Sequence, residues 1–242
     1  MKFKLIFYIL LTTSIFGQVN TEKFRNNNMQ LGASHKLGMN IQLIEGNSSL
    51  STIQGNYRLD YRKNKYHSFL VLNLKNGHEN GQNFVNKGFS HLRIIKELDT
   101  HYAEVFLQNE FNDFIDLKRR SLLGSGIRLN ISSNNSRNTY IGIGAMYEQQ
   151  DQLNKQSSVI RSTNYITNES HLQYLTLSTT AYWQPLFSDF SAFRALFIQN
   201  FKFKITDKLN VVIAFNFRYD NQLENRVKSW DYELSNGLEF SF

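Results

Sequence analysis

The run Gly77-His78-Glu79-Asn80-Gly81 is where this sequence comes nearest to a catalytic pattern. A histidine close to a hydroxyl nucleophile can act as its general base, which is how hydrolases activate a serine. Here Asn80 stands two residues after His78, where that serine would be needed, so the nucleophile is missing. A protease built on paired acids and a histidine would need a further acid beside His78 and Glu79, and the sequence offers no evident partner. The six histidines show no metal-ligand spacing such as H-E-x-x-H, and phosphate-cradling glycine patterns are absent. With no cysteine, disulfides and thiolate metal sites are excluded. The chain is therefore not expected to be an enzyme, and no catalytic residue, cofactor or metal site is expected.

A second kind of chemistry is electrostatic. Lys36, Arg58, Asp60, His91, Arg93, Glu104, Glu110, Arg120, Arg128, Glu148, Arg194, Lys202, Lys204, Arg218, Asp220, Asp231, Glu233 and Glu239 fall on the face opposite an alternating apolar one. Residues on adjacent strands can pair: Arg93 with Glu104 and Glu110 with Arg120, with Arg218 or Asp220 near Asp231 and Glu233. With Arg128 these residues form the candidate charge network. Such a network either holds an interior together by salt bridges or lines a pore whose charges select solutes. A plugged interior reads the same in sequence.

The elements that must position these charges are strands. Leu31, Ala33, His35, Leu37, Met39, Ile41 and Leu43 share one face, and Ser34, Lys36, Gly38, Asn40 and Gln42 the other, a period of two. Similar alternation recurs to the last residue, where Tyr232, Leu234, Leu238, Phe240 and Phe242 share a face. Gly46-Asn47-Ser48 and Thr206-Asp207-Lys208 read as turns. Short connections near 62–65, 98–100, 132–137, 168–170 and 206–208 alternate with longer ones at 76–87, 112–118, 148–158, 185–189 and 221–229. The segment from Val159 to Thr167 alternates poorly. Counting it gives twelve strands, with ten as the alternative. Gly124, Gly126, Gly142 and Gly144 lie within strands, where glycine marks close approach and where Tyr102 or Phe106 opposite would narrow the interior.

A soluble sandwich or lipocalin-type barrel would also alternate, but with strands of about five or six residues. Those read here are longer, enough for the roughly 9–11 residues of a tilted membrane strand. Alternation does not say which face is inside. Three features break the tie. Lys2 and Lys4 precede an apolar run from Leu5 to Phe16, and Gly17 is followed by polar sequence, the order of a secretory signal peptide. Tyr57, Tyr61, Tyr147, Trp183 and Trp230 sit near strand ends, as interfacial girdles do. The chain ends in Phe240 and Phe242, an alternating aromatic terminus of the kind the barrel assembly machinery reads. The reading is all-β: a closed antiparallel transmembrane barrel at 30–242, after a signal peptide at 1–17 cleaved before Gln18 and a periplasmic lead-in at 18–29. Closure is required because an unpaired backbone group in lipid costs several kcal/mol.

The 27 Lys and Arg outnumber the 20 Asp and Glu. They are scattered and the chain is exported, so nucleic acid is not an expected partner. Outer-membrane lipid and lipopolysaccharide phosphates are.

The segments Asn86-Lys87-Gly88-Phe89-Ser90-His91-Leu92-Arg93, Glu104-Val105-Phe106-Leu107-Gln108-Asn109-Glu110-Phe111-Asn112 and Arg120-Ser121-Leu122-Leu123-Gly124-Ser125-Gly126-Ile127-Arg128 resemble the salt-induced outer-membrane protein family. So do Tyr182-Trp183-Gln184-Pro185, Arg218-Tyr219-Asp220 and Val19-Asn20-Thr21-Glu22, in that family's order. After Asp220 the chain continues to Asn221-Gln222 where a nearby proline is expected, a difference in a loop. The family is a domain of unknown function, so the resemblance implies an outer-membrane barrel and brings no catalytic residues. The expected function is a non-enzymatic, structural or stress-related barrel with a charged lumen. The alternative is a narrow channel for small polar solutes or ions.

Overall fold

In the computed structural model, residues 21–25, 31–46, 49–222 and 228–240 are described. Twelve strands follow one another: β1 (Gly32–Ile44), β2 (Leu50–Lys63), β3 (Tyr66–Glu79), β4 (Gln82–Leu98), β5 (His101–Asn112), β6 (Leu117–Asn134), β7 (Arg137–Gln152), β8 (Lys155–His171), β9 (Leu175–Pro185), β10 (Phe193–Lys204), β11 (Leu209–Asp220) and β12 (Trp230–Phe240). They form one sheet in which each strand's neighbours in sequence are its neighbours in space, all antiparallel. Among the described residues, β1 pairs with β2 and β12 with β11, so these two strands end the sheet order. The shortest strands have 11 residues and the longest, β6, has 18.

The two faces of this sheet are inverted relative to a water-soluble protein. Leu74, Ile94, Val105, Leu107, Leu123, Ile127, Ile143 and Ile160 are exposed. Asp60, Arg93, Arg120, Glu148 and Arg161 are at most 4% exposed. The sheet curls toward its charged face. Glu148 on β7 reaches Arg194 on β10, three strands away, which a flat sheet would not allow. β1 stays peripheral, with nearly all of both faces exposed, Lys36 included.

The weakly alternating segment is a strand of 17 residues, longer than the 159–167 expected. Two of the expected long connections are not loops. β3 and β4 continue across 76–87 and meet at Asn80-Gly81, whose positive φ angles of 50° and 79° suit a tight hairpin turn. β7 and β8 likewise continue through 148–158 and turn at Leu153-Asn154. The physical reason is that beyond an apolar belt both faces of a strand can be polar while its backbone ladder continues. Alternation then vanishes from the sequence but pairing does not. Pro185 closes β9. Phe240 pairs with Leu209, while Phe242, Asn47, Ser48 and residues 1–20 lie outside the described residues.

The strand glycines make room on the enclosed face. The Phe106 ring lies over Gly124, as expected, whereas the ring over Gly142 is Tyr165 rather than Tyr102. Tyr102 instead meets Tyr140, ring centroids 6.3 Å apart. Gly126 and Gly144 face each other across the β6–β7 ladder. A methyl group at Gly142 would overlap the Tyr165 ring. Gly142→Ala should therefore destabilise the fold by about 1–3 kcal/mol, the usual cost of overpacking, read as a lower midpoint of heat-induced unfolding in detergent. Gly55→Ala, where a methyl group meets nothing within 4 Å, should be nearly neutral.

Candidate functional site

The enclosed face carries two ion-paired clusters, one above the other. The cluster nearer the β9–β10 connection centres on Glu148. Its carboxylate accepts from Arg194 Nη1 at 2.7 and 2.8 Å and lies 3.3 Å from Arg161 Nε. Arg194 also donates from Nε to Asp220 at 2.6 Å. Arg120 donates to Glu110 at 2.7 Å and to Gln150 at 3.1 Å. Three arginines thus face three carboxylates, drawn from β5, β6, β7, β8, β10 and β11.

The second cluster surrounds a segment that is not part of the wall. Thr21 to Arg25, with a single 3-10 turn over Glu22–Phe24, lies against the charged face of the sheet. It touches β2, β3, β4, β5, β6, β8 and β9. Arg58 on β2 donates to the Phe24 carbonyl at 2.5 Å. Arg93 on β4 donates to Thr21 Oγ1 at 2.6 Å and to Glu22 at 3.0 Å. Arg25 pairs with Glu104 on β5 and lies 3.5 Å from the Tyr165 hydroxyl on β8. Arg128 on β6 is 3.6 Å from Glu22, and the Glu22 backbone N–H donates to the Tyr182 hydroxyl on β9 at 3.2 Å. Phe24 packs on an apolar patch of Phe69, Val71 and Ile95. One short segment contacts seven of the twelve strands, which is possible only if the sheet wraps around it.

Arg93 is the busiest group. It also donates to Glu104 at 3.0 Å and, through Nε, to His91 Nε2 at 3.3 Å. His91 Nδ1 then faces Gln108 Oε1 at 3.2 Å, which assigns the ring proton to Nδ1 and leaves the imidazole neutral. For Glu22, burial alone would raise the carboxyl pKa. Arg25, Arg128 and Arg93 outweigh burial and hold it at about 2.

The structure brings Arg93 to Glu104 and Glu110 to Arg120 in buried pairs, and Arg218 to within 3.7 Å of Asp231. Asp220 turns instead to Arg194, away from β12, and Glu233 sits half-buried opposite Asn216. Lys202 and Glu239 pair at 2.6 Å in a much more exposed position. Glu22, Arg25 and Arg161 join the network without having been expected there. Glu22 lies in the Val19-Asn20-Thr21-Glu22 motif, a signal that the lead-in was more than a spacer. Arg161 was hidden by the poor alternation of its strand. His78 and Glu79 end β3, and Asn80 serves the turn, its Oδ1 accepting from the Ser49 N–H at 3.0 Å. Among the described residues no group of three or more His, Asp or Glu could hold a metal ion.

Residues 36–242 match a family described as a protein of unknown function, DUF481. The chain belongs to that family. The matched span begins inside β1, so the strap of residues 21–25 precedes it. The uncharacterised family expected from the sequence motifs is thus the kind found. A solved structure titled "NanC porin structure in rhombohedral crystal form" superposes on 85% of this chain and 100% of that chain, with a TM-score of 0.49 and 9% identity. A likeness that loose carries no weight for function. No curated protein matches the chain.

Removing one partner of a buried pair leaves the other charge uncompensated and costs about 3–5 kcal/mol. Arg194→Gln takes away the guanidinium shared by Glu148 and Asp220. It should lower the midpoint of urea unfolding by a corresponding amount, whereas Lys202→Gln, in an exposed pair, should change stability by less than about 1 kcal/mol.

Proposed function

We propose that this DUF481 family member is an exported, non-enzymatic outer-membrane protein. In this reading the sheet closes β12 onto β1 as a transmembrane barrel, and the strap of residues 21–25 occludes its lumen. The observation that carries the reading is the inverted sheet. Apolar side chains ring the outside, while arginines and carboxylates are buried inside. In water that arrangement would expose far more apolar surface than a monomeric soluble protein tolerates. In lipid it is the ordinary one. Strands of 11 or more residues suit the bilayer, and the two free sheet edges would each be costly in lipid, which favours their pairing. Lys2, Lys4 and the apolar run to Phe16 support export, with cleavage after Gly17. Phe240 and Phe242 would serve the assembly machinery, and lipid and lipopolysaccharide would be the surrounding partners.

The role is structural or stress-related, with a sealed resting state. A second reading, a narrow channel for small polar solutes or ions, is favoured by one observation. The strap has no backbone ladder with the wall, and side chains hold it there.

Two measurements test this. The purified protein should migrate faster on a gel unheated than boiled and fractionate with outer membranes. Identical mobility and a soluble fraction would remove the membrane assignment. In planar bilayers the full mature chain should be silent, and a variant lacking residues 18–25 should show discrete conductance steps. Silence should persist on acidification until the pH nears about 2, where the depressed Glu22 carboxylate takes up its proton. Equal conductance of the two proteins would remove the strap as the occluding element.

A further inference from the structure

Glu22 has the surroundings of a bound ligand. Its carboxylate is 4% exposed and lies 3.0 Å from Arg93 Nη1, 3.6 Å from Arg128 Nη2 and 2.8 Å from Arg25 Nε. Arg93 and Arg128 belong to the wall, and Arg25 travels with the strap. Around the strap the wall presents three buried or half-buried arginines, Arg58, Arg93 and Arg128, to two carboxylates, Asp60 and Glu104. The strap brings one carboxylate, Glu22, and one guanidinium, Arg25, which shares Glu104, so among these groups the wall's single positive excess remains and rises to two when the Glu22 carboxylate is removed.

The excess settles on Arg128. Its side chain is 5% exposed, and among the described residues the one carboxylate within salt-bridge distance is that of Glu22. The Tyr140 ring lies 3.8 Å from its guanidinium carbon and stabilises the cation from one face. Its Nε has no hydrogen-bond partner even with the strap in place. Arg93 keeps Glu104 and His91 whether or not Glu22 is present, so it can stay ordered and offer its free edge to another anion. The Tyr182 hydroxyl stands beside both the Thr21 hydroxyl and the Glu22 N–H. A buried guanidinium without an anion is costly, and a planar carboxylate is the geometric match for such forks.

We infer that Arg93 and Arg128 form a carboxylate-binding site in the wall, which Glu22 fills as a tethered ligand and which takes a small free carboxylate when the strap's own is absent. This rests on the reading of residues 21–25 as a side-chain-anchored plug. The positive excess and the room of a single side-chain carboxylate select a small carboxylate over a neutral solute or a larger anion.

Chemical rescue tests the site independently of conductance. Glu22→Ala keeps the strap and removes a fragment with the outline of acetate. The midpoint of its heat-induced unfolding in detergent should fall by about 5 °C. Sodium acetate at ~100 mM should restore at least half of that loss, while equal acetamide or sodium chloride should not. Adding Arg128→Gln to Glu22→Ala should abolish the response to acetate. Glu22→Gln, whose amide still fills the space, should not respond. If acetate and chloride act equally, the effect is ionic screening and the site is refuted. If Glu22→Ala does not fold, the variant lacking residues 18–25 is compared in the same solutions. That variant also separates the two claims. Conductance without an acetate effect would leave the occlusion reading and remove the site. An acetate effect without increased conductance would keep the site and remove occlusion.

Discussion

A buried guanidinium must be met by an anion, and most of the interior of this protein follows from that requirement. Arg93 meets Glu104, His91, Thr21 and Glu22 at once, and so ties β4 to β5 and to the strap. Taking an ion out of water costs several kcal/mol unless geometry and hydrogen bonds compensate. Each arginine here therefore constrains where its neighbours' carboxylates lie. The bonds that matter most run between strands that are not paired. Arg194 to Glu148 spans β10 and β7, and the strap spans β2 to β9. Ladder hydrogen bonds hold adjacent strands, but these longer links oppose flattening of the sheet.

The width of the interior explains why long charged side chains occur there. Eight strands enclose a space that side chains fill alone. A twelve-stranded sheet curled toward its charged face leaves more, and the surplus is occupied in three ways. Arginine–glutamate pairs reach inward, the rings of Phe106 and Tyr165 lie flat over glycines, and the strap takes up space between the wall strands. Phe24 fits the same logic, meeting the apolar patch around Phe69 that no wall charge could satisfy. The glycines and the strap are thus two responses to one volume problem. Where the wall is bare the rings come close, and where it is far the chain's own N-terminal segment reaches across.

Much of this was legible in the sequence because alternate residues lie on opposite faces of the sheet, one apolar and exposed and the other charged and buried. That period gave most of the twelve strands, the poorly alternating 159–167 segment aside, the face on which Arg93, Glu104, Glu110, Arg120 and Arg128 lie, and two of their pairings. It failed where its cause failed. At 76–87 and 148–158 both faces can be wet, so the pattern lapses while pairing continues. At Arg161 and Ser162 adjacent residues are both buried, because Arg161 also bridges to Leu186 beyond the end of β9. Inward-facing Phe69 and Val71 follow no alternation of polarity, since they serve Phe24 rather than water. The strap itself has no period to read. Five residues held by partners more than thirty positions away carry no local signature beyond a glutamate and an arginine three apart.

The way the strap is held bears on when it can be placed and how it could leave. Its partners come from β2 through β9, so the full set exists only after most of the sheet has formed. Within the strap the Phe24 and Arg25 N–H groups bond back to Thr21 and Glu22, while the Glu22 N–H and the Phe24 carbonyl meet wall side chains. What binds it to the wall is a set of separate side-chain contacts, most of them charge-assisted, rather than a backbone ladder. A ladder strand in the same place would have to break every backbone bond together. An anchoring made of separable ionic contacts instead makes occupancy of the lumen depend on what competes for Arg93 and Arg128.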